Sequence, residues 1–138
     1  MNKIDHLGIA VPDLEVASEE YRRLGFEFLG SETVASQKVD VGFFKVGDAR
    51  IELLAPTADD SPIAGFLAKR APGMHHLCVE VEDLDATLAA YKREGVRLID
   101  SEPVIGAGGH RVAFIHPKST SGVLLELKEV ATKAPQSP

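Results

Sequence analysis

One stretch of this sequence occurs twice, and this internal duplication constrains the fold more than any other feature. Residues 6–29 match residues 76–99 at eight of 24 positions, always with an offset of 70. Each copy begins with a histidine, His6 in the first and His76 in the second. A duplicated unit predicts two copies of one fold element, related by a pseudo-twofold axis that can bring the two imidazoles together.

Length and composition fit one compact domain or two small half-domains that share a core, and they argue against several classes of partner. A unit of roughly 70 residues alone buries a marginal core, so we expect both halves of this 138-residue chain to pack as one body. The net charge of −6 argues against nucleic acid as a partner. No apolar run approaches the ~20 residues that span a bilayer, and the start of the chain does not resemble a signal peptide. With a single cysteine, Cys78, these features predict a cytoplasmic protein.

Hydrophobic periodicity predicts the same order of elements in both halves. Residues 1–56 form a first unit, 57–72 a linker with a short helix at Ile63–Arg70, 73–130 a second unit, and 131–138 a flexible tail. The predicted strands are Ile4–Val11, Phe26–Val34, Val39–Val46, Ile51–Leu54, Met74–Val81, Val96–Ile99, Arg111–Ile115 and Gly122–Lys128. The predicted helices are Leu14–Leu24, capped by Asp13, and Leu84–Glu94, capped by Asp83. The core face of the first helix is predicted to carry Leu14, Ala17, Tyr21 and Leu24. The predicted fold class is α+β, in which two tandem βαβββ units form a curved eight-stranded sheet around a metal cavity.

A glutamate on the last strand of each half indicates what the cavity binds. Glu52 and Glu126 each stand between apolar residues, in the segments RIEL at 50–53 and LLEL at 124–127. On a strand, each glutamate faces the side opposite to its neighbours. A solvent-facing position is the simpler interpretation for one such glutamate, but the paired histidines favour a site with two imidazoles and two carboxylates. These donors suit a borderline or hard divalent ion, and four protein ligands on an octahedral ion leave two positions for a substrate with two oxygens.

The remaining histidines and the single cysteine carry weaker signals. His75 adjoins His76, so on a strand it faces the opposite side and is interpreted as a partly buried structural residue. His110 and His116 lie at the two ends of a predicted strand, where a loop position or a contact behind the ligands is the better interpretation. Cys78 shares the face of His76, and we interpret it as a small apolar filler. The glycine-rich segment at 106–111 is a turn, because no helix follows it.

The order His, Glu, His, Glu on paired units resembles the vicinal oxygen chelate, or glyoxalase, superfamily. The segment IDHLGIAV at 4–11 marks only that superfamily, and IELLAP at 51–56 and GMHHLC at 73–78 extend the likeness. The more specific segments are GAGGHRVAFIHPKST at 106–120 and GVLLEL at 122–127. Through them the chain resembles the methylmalonyl-CoA epimerases over nearly its whole length apart from the tail.

This resemblance implies a set of site residues. His6, His76 and Glu126 would be metal ligands, and Glu52 would occupy the fourth ligand position, which is Gln or Glu in the family. We expect Co²⁺, with Mn²⁺, Ni²⁺, Zn²⁺ and Mg²⁺ as alternatives. Glu126 would also be one catalytic base, with Glu52, or a water positioned by Gln37, as the other. The predicted substrate-binding residues are Gln37, Gly108, Arg111, Lys118 and Ser119.

Two positions depart from the family pattern. A glutamate proposed as one catalytic base in some relatives falls near Val41 here, and valine cannot take a proton. The glycine that usually follows the position of Gln37 is replaced by Lys38. The resemblance therefore leaves the identity of one of the two bases open.

The implied activity is the interconversion of (2R)- and (2S)-methylmalonyl-CoA by removal and return of the α-proton through a metal-stabilised enolate. The implied partner is a small acyl-CoA, and we expect a homodimer. A lactoylglutathione lyase would use the same four ligands and is the first alternative. A metal-free small-molecule-binding member of the superfamily is the next, disfavoured because two carboxylates in a cavity without a cation are costly. An extradiol dioxygenase, with two histidines and one carboxylate on iron, does not account for Glu52.

Overall fold

The computed structural model describes residues 1–130, and the predicted tail at 131–138 lies outside the described residues. The strands are β1 (Ile4–Ala10), β2 (Glu27–Val34), β3 (Val39–Val46), β4 (Ala49–Pro56), β5 (Gly73–Val81), β6 (Val104–Ile105), β7 (Arg111–Ile115) and β8 (Leu125–Glu129). The helices are α1 (Leu14–Arg23), α2 (Pro62–Lys69) and α3 (Leu84–Arg93). Short 3₁₀ turns lie at Ala35–Gln37, Ala107–Gly109 and Pro117–Ser119.

The chain divides into two compact units. The larger unit is Ile4–Cys78, and the smaller unit combines Met1–Lys3 with the described residues from Val79 onward. The division therefore lies within β5. The linker helix α2 belongs to the larger unit, where it packs on β4 and β1.

The larger unit places its strands in the order β2-β3-β4-β1-β5. Strands β2, β3 and β4 are antiparallel neighbours, whereas β1 runs parallel to β4 with Gly8 opposite Glu52. Its buried core combines residues of α1, β3 and β4 with the residue that follows β1. The core residues are Val11, Ala17, Phe44, Leu53 and Ala55.

The smaller unit contains the end of β5 followed by β8, β7 and β6 in that order. Strand β7 is antiparallel to both β6 and β8, and Phe114 stands opposite Glu126. Helix α3 covers one face with Leu84 and Leu88. The buried core residues are Val81, Leu84, Leu88, Ala113, Ile115 and Leu127.

The predicted strand at Val96–Ile99 is wrong. Leu98 makes only an isolated bridge with Ile115. The amides of Ile99 and Asp100 both donate to the carbonyl of Phe114, which breaks the alternation that a strand ladder needs. The Asp100 carboxylate accepts from the amide of Phe114. The edge position beside β7 is taken instead by β6, which periodicity did not predict.

Helices α1 and α3 start as predicted, whereas α2 starts at Pro62, one residue before the predicted Ile63. The carboxylates of Asp13 and Asp83 accept from the amides of Val16 and Ala86 and so cap α1 and α3. Helix α1 ends at Arg23, one residue earlier than predicted. Leu24 is therefore the C-cap and is 73% exposed, so its assignment to the core face is wrong. None of the described helices has the length and apolar character needed to cross a membrane.

Candidate metal centre

The two duplicated histidines meet in the larger unit. His6 lies in the middle of β1 and His76 near the start of β5, with 4% and 6% of their surface exposed. Their Nε2 atoms are 3.0 Å apart. Two nitrogen ligands that each lie about 2.1 Å from one ion, at right angles to each other, are about 3 Å apart, which matches this Nε2–Nε2 distance. The duplication therefore brings together two nitrogen donors that can bind the same metal ion.

The other nitrogen of each ring also has a neighbour. The Asp5 carboxylate lies 2.7 Å from Nδ1 of His6, close enough to accept its proton. The Nδ1 of His75 lies 3.0 Å from Nδ1 of His76. When each Nδ1 donates its proton in this way, both Nε2 atoms present lone pairs. A carboxylate or other acceptor behind a ligand histidine is the usual arrangement in metal sites.

Glu52 is buried beside the imidazole of His6. It lies on β4 with 3% exposure, and its neighbour Leu53 belongs to the core. One carboxylate oxygen is 3.1 Å from Nδ1 of His6 and accepts from the Arg50 guanidinium at 2.8 Å. Arg50 also reaches the Asp5 carboxylate at 3.5 Å. The solvent-facing interpretation of Glu52 is therefore wrong, and one guanidinium stands between two buried carboxylates.

Glu126 occupies the corresponding position in the smaller unit. It lies on β8 with 7% exposure, next to the core residue Leu127. Because successive side chains on a strand point to opposite faces, Glu126 is directed away from the core that holds Leu127. It is nevertheless buried, so a solvent-facing position is excluded for this glutamate as well.

The donor set fits a divalent cation. Among the described residues of the larger unit, His6 is surrounded by two buried carboxylates and one partly exposed guanidinium, that of Arg50, so the charge balance favours a cation. Two imidazole nitrogens with carboxylate oxygens match the preferences of several borderline ions. The ligand atoms of Asp5, His6 and Cys78 also lie within 4.8 Å of one another. The structure therefore contains candidate ligand groups for a metal.

The predicted substrate-binding residues fall on loops and on β7. Gln37 ends the first 3₁₀ turn and is half-buried. Gly108 lies in the second 3₁₀ turn with a positive φ of 71°. In the third turn, Lys118 is exposed, and the Ser119 hydroxyl accepts from the amide of Arg97.

Arg111 is held by two acidic residues of the smaller unit. Its guanidinium donates to both oxygens of Glu129 and to both oxygens of Asp85, at 2.9 to 3.1 Å. Asp85 and Glu129 raise the pKa of Arg111 further above its ordinary value. These contacts favour a structural role, because a substrate phosphate would have to compete with two carboxylates.

His116 is a loop residue, in line with its interpretation from the sequence. Its Nδ1 accepts from the amide of Lys118 and caps the third 3₁₀ turn. Partial burial, followed by the charges of Arg97 and Lys118, lowers the pKa of this imidazole. The ring is therefore neutral near pH 7 and available as an acceptor.

Sequence reasoning missed three groups that surround the histidines. In the sequence, Asp5 is recognisable only as the residue before His6, and strand alternation predicts His75 on the far side of its strand. Arg50 stands opposite His6 only through the pairing of β1 with β4 in the structure. The available signal for Asp5 was its acidic type beside a candidate ligand. No comparable signal existed for Arg50, because its contact depends on the parallel register of β1 and β4.

Comparison with known proteins places the chain in a family. The model of the Glyoxalase/Bleomycin resistance protein/Dioxygenase superfamily matches residues 5–114. The chain is 45% identical over 133 residues to an ethylmalonyl-CoA/methylmalonyl-CoA epimerase of Cereibacter sphaeroides, covering 94% of this chain and 99% of that protein. It is 42% identical over 131 residues to the human mitochondrial methylmalonyl-CoA epimerase, covering 94% of this chain and 74% of that protein.

A solved structure shows the same fold. A variant of the Streptomyces coelicolor methylmalonyl-CoA epimerase in complex with 2-nitronate-propionyl-CoA has a TM-score of 0.91 and 38% identity, covering 98% of this chain and 99% of that chain. The fold is therefore that of the glyoxalase superfamily, and the chain belongs to this superfamily. Within it, the chain belongs to the methylmalonyl-CoA epimerase family, as the resemblance in its motifs predicted.

Proposed function

We propose that this protein is a divalent-metal-dependent methylmalonyl-CoA epimerase that interconverts the (2R) and (2S) epimers. The observation that carries the proposal is the pair of buried histidines whose Nε2 atoms lie 3.0 Å apart. This pair occurs in a chain that is 42–45% identical to proteins named as epimerases of this substrate.

The proposed metal ligands are His6, Glu52, His76 and Glu126. Each of them is buried, and the two glutamates occupy equivalent places on the last strand of each half. Co²⁺ is the ion we favour, with Mn²⁺, Ni²⁺, Zn²⁺ and Mg²⁺ as alternatives that the same donors can bind. The Glu52 carboxylate lies 3.1 Å from Nδ1 of His6 and accepts from Arg50, so it would have to reorient to join an ion bound at Nε2.

The reaction needs a proton taken from the carbon between a thioester and a carboxylate and returned to the other face. A divalent ion held by these residues would supply Lewis-acid stabilisation of the negative charge on the thioester oxygen. We assign Glu126 as the base on one face, since a carboxylate within reach can accept the proton and give it back. Glu52 is the candidate base on the other face, because Val41 is buried and has no group that takes a proton.

We also propose an acyl-CoA substrate, a homodimer and a cytoplasmic location for this protein. The substrate is a small acyl-CoA, like the nitronate analogue bound to the Streptomyces coelicolor enzyme. A homodimer would pair β2 or β6, which are the terminal strands in the strand order of the described residues. The sequence has a single cysteine, Cys78, which cannot form a disulfide within the chain, and this supports a reducing compartment such as the cytoplasm.

The test is proton exchange in variants of the two buried glutamates. In D₂O, Glu126→Gln is expected to lower α-proton exchange of methylmalonyl-CoA by about 100-fold or more, because an amide cannot act as the base. The amide oxygen can still bind a metal, so Co²⁺ content is measured on the same sample. Glu52→Gln is expected to keep its metal, since the family also accepts Gln there, and to lose exchange only if Glu52 is the second base.

The matched control is Glu27→Gln, which changes an exposed glutamate on β2. Exchange in this variant should equal that of the unaltered protein. Undiminished exchange in a metal-loaded Glu126→Gln protein would contradict the assignment of Glu126 as a base.

A further inference from the structure

Gly8 lies in the middle of β1, where its backbone conformation does not require glycine. Its φ lies outside the left-handed region, so any residue could adopt it. Space is the constraint instead. A Cβ built on Gly8 would lie 2.1 Å from Cε1, 2.4 Å from Nδ1 and 2.7 Å from Nε2 of His76. Real Cβ atoms essentially never approach another atom below 3.0 Å, so any side chain here would displace the imidazole.

The imidazole of His76 has little freedom to move away. It is 6% exposed, and each of its two nitrogens has a ring nitrogen of another histidine at 3.0 Å. His6 on one side is fixed in turn by the Asp5 carboxylate. His75 on the other side packs against Phe66, with ring centroids 4.9 Å apart. A shift of the His76 ring would therefore change the distance between the two Nε2 atoms.

The duplication shows that the lack of a side chain at this position is specific to the first copy. The offset of 70 pairs Gly8 with Cys78. Cys78 is fully buried, and its sulfur lies within 4.8 Å of ligand atoms of Asp5 and His6. The second copy thus carries a side chain beside His6, whereas the first copy carries none beside His76.

We propose that Gly8 is a positioning residue for the metal centre. The missing side chain leaves room for the His76 ring against β1 and so sets the distance at which both Nε2 atoms can bind one ion. The metal part of this inference rests on the proposed function, whereas the contact between Gly8 and His76 does not.

The contact is tested without metal, by thermal unfolding of the chelator-treated protein. Four proteins are compared: the unaltered chain, Gly8→Ala, His76→Ala and the double variant. Gly8→Ala is expected to lower the unfolding midpoint of the unaltered chain by about 3 °C or more. In the His76→Ala background, which removes the ring, the same change should shift the midpoint by less than about 1 °C. Equal losses in both backgrounds would overturn the proposal.

The positioning is tested by Co²⁺ binding and by the visible absorption of bound Co²⁺. Gly8→Ala is expected to weaken Co²⁺ binding by about tenfold or more and to change the spectrum. Gly42→Ala is the matched control on β3, because its Cβ would meet side chains of α1, Leu14 at 3.1 Å and Ser18 at 3.4 Å, instead of a histidine. It should bind Co²⁺ within about twofold of the unaltered chain.

The outcomes separate the two proposals. An unaltered protein that binds no Co²⁺ and none of the alternative ions would contradict the proposed metal centre. A Gly8→Ala protein with unchanged Co²⁺ affinity and spectrum would contradict the role of Gly8 while leaving the metal centre in place.

Discussion

Lys38 adopts a backbone conformation that glycine adopts more easily. It follows the first 3₁₀ turn with φ 54° and ψ 50°, in the left-handed region. The family resemblance indicated a glycine at this position, and the structure gives the physical reason. The Lys38 ammonium pairs with the exposed Asp60 carboxylate, and this pair lowers the pKa of Asp60.

We expect Lys38→Gly to stabilise the fold relative to Lys38→Ala. Both variants lose the exposed ion pair, but only glycine relieves the left-handed strain, which costs roughly 1 kcal/mol for a residue with a Cβ. Urea unfolding should therefore give Lys38→Gly the higher free energy of unfolding by about 1 kcal/mol. Equal values would contradict the strain at this position.

Asp5 is the acceptor behind a proposed metal ligand. Its carboxylate lies 2.7 Å from Nδ1 of His6 and fixes which ring nitrogen carries the proton. We expect Asp5→Asn to weaken Co²⁺ binding by about 10- to 100-fold, because such acceptors orient the ligand and raise its basicity. Isothermal titration with Co²⁺ measures the change.

Asp13→Asn serves as the control for Asp5→Asn, since asparagine also caps helices well and Asp13 caps α1. Its Co²⁺ affinity should equal that of the unaltered chain. Equal affinities for all three proteins would show that Asp5 does not support the site.

At the scale of elements, the confirmed predictions concern helix capping and the alternation of side chains along a strand, which depend on neighbouring residues in the sequence. Asp13 and Asp83 were expected to cap their helices because aspartate accepts from amides of the first turn, and both do. The burial of Glu52 and Glu126 followed from a period of two along each strand combined with the duplication. The strand at Val96–Ile99 failed because its amides bond to Phe114 in a pattern that apolar content alone does not reveal.

Arg111 connects three elements of the smaller unit: β7, β8 through Glu129, and α3 through Asp85. If this role is structural, Arg111→Met lowers the midpoint of thermal unfolding and leaves KM for the acyl-CoA unchanged. Melting curves and steady-state kinetics on the same preparation check both parts. A raised KM with an unchanged midpoint would favour the substrate-binding role that the resemblance suggested.

At the scale of the whole chain, the duplication explains why each unit supplies similar parts. Each has its own core beneath its own helix, and each has a buried glutamate beside a core leucine. The repeat also predicts the pairing of His6 with His76, which the structure shows at 3.0 Å. The differences between the copies, such as Gly8 against Cys78, set the surroundings of each histidine.

The sequence predicts the histidine pair and the two buried glutamates but not the groups that contact them. His6, Glu52, His76 and Glu126 follow from the repeat and from strand periodicity. The contacts of Arg50 with Glu52 and Asp5 depend on strand register, and the contact of His75 with His76 depends on side-chain rotamers. Neither register nor rotamer leaves a pattern in a single sequence.

The most direct test of the proposed function is deuterium uptake by one epimer of methylmalonyl-CoA in D₂O, followed by mass spectrometry and separation of the epimers. The Co²⁺-loaded protein should place deuterium on the α-carbon and form the other epimer, and a chelator should stop both until Co²⁺ is restored. No exchange by the metal-loaded protein, together with turnover of methylglyoxal and glutathione, would contradict the epimerase and favour a lactoylglutathione lyase.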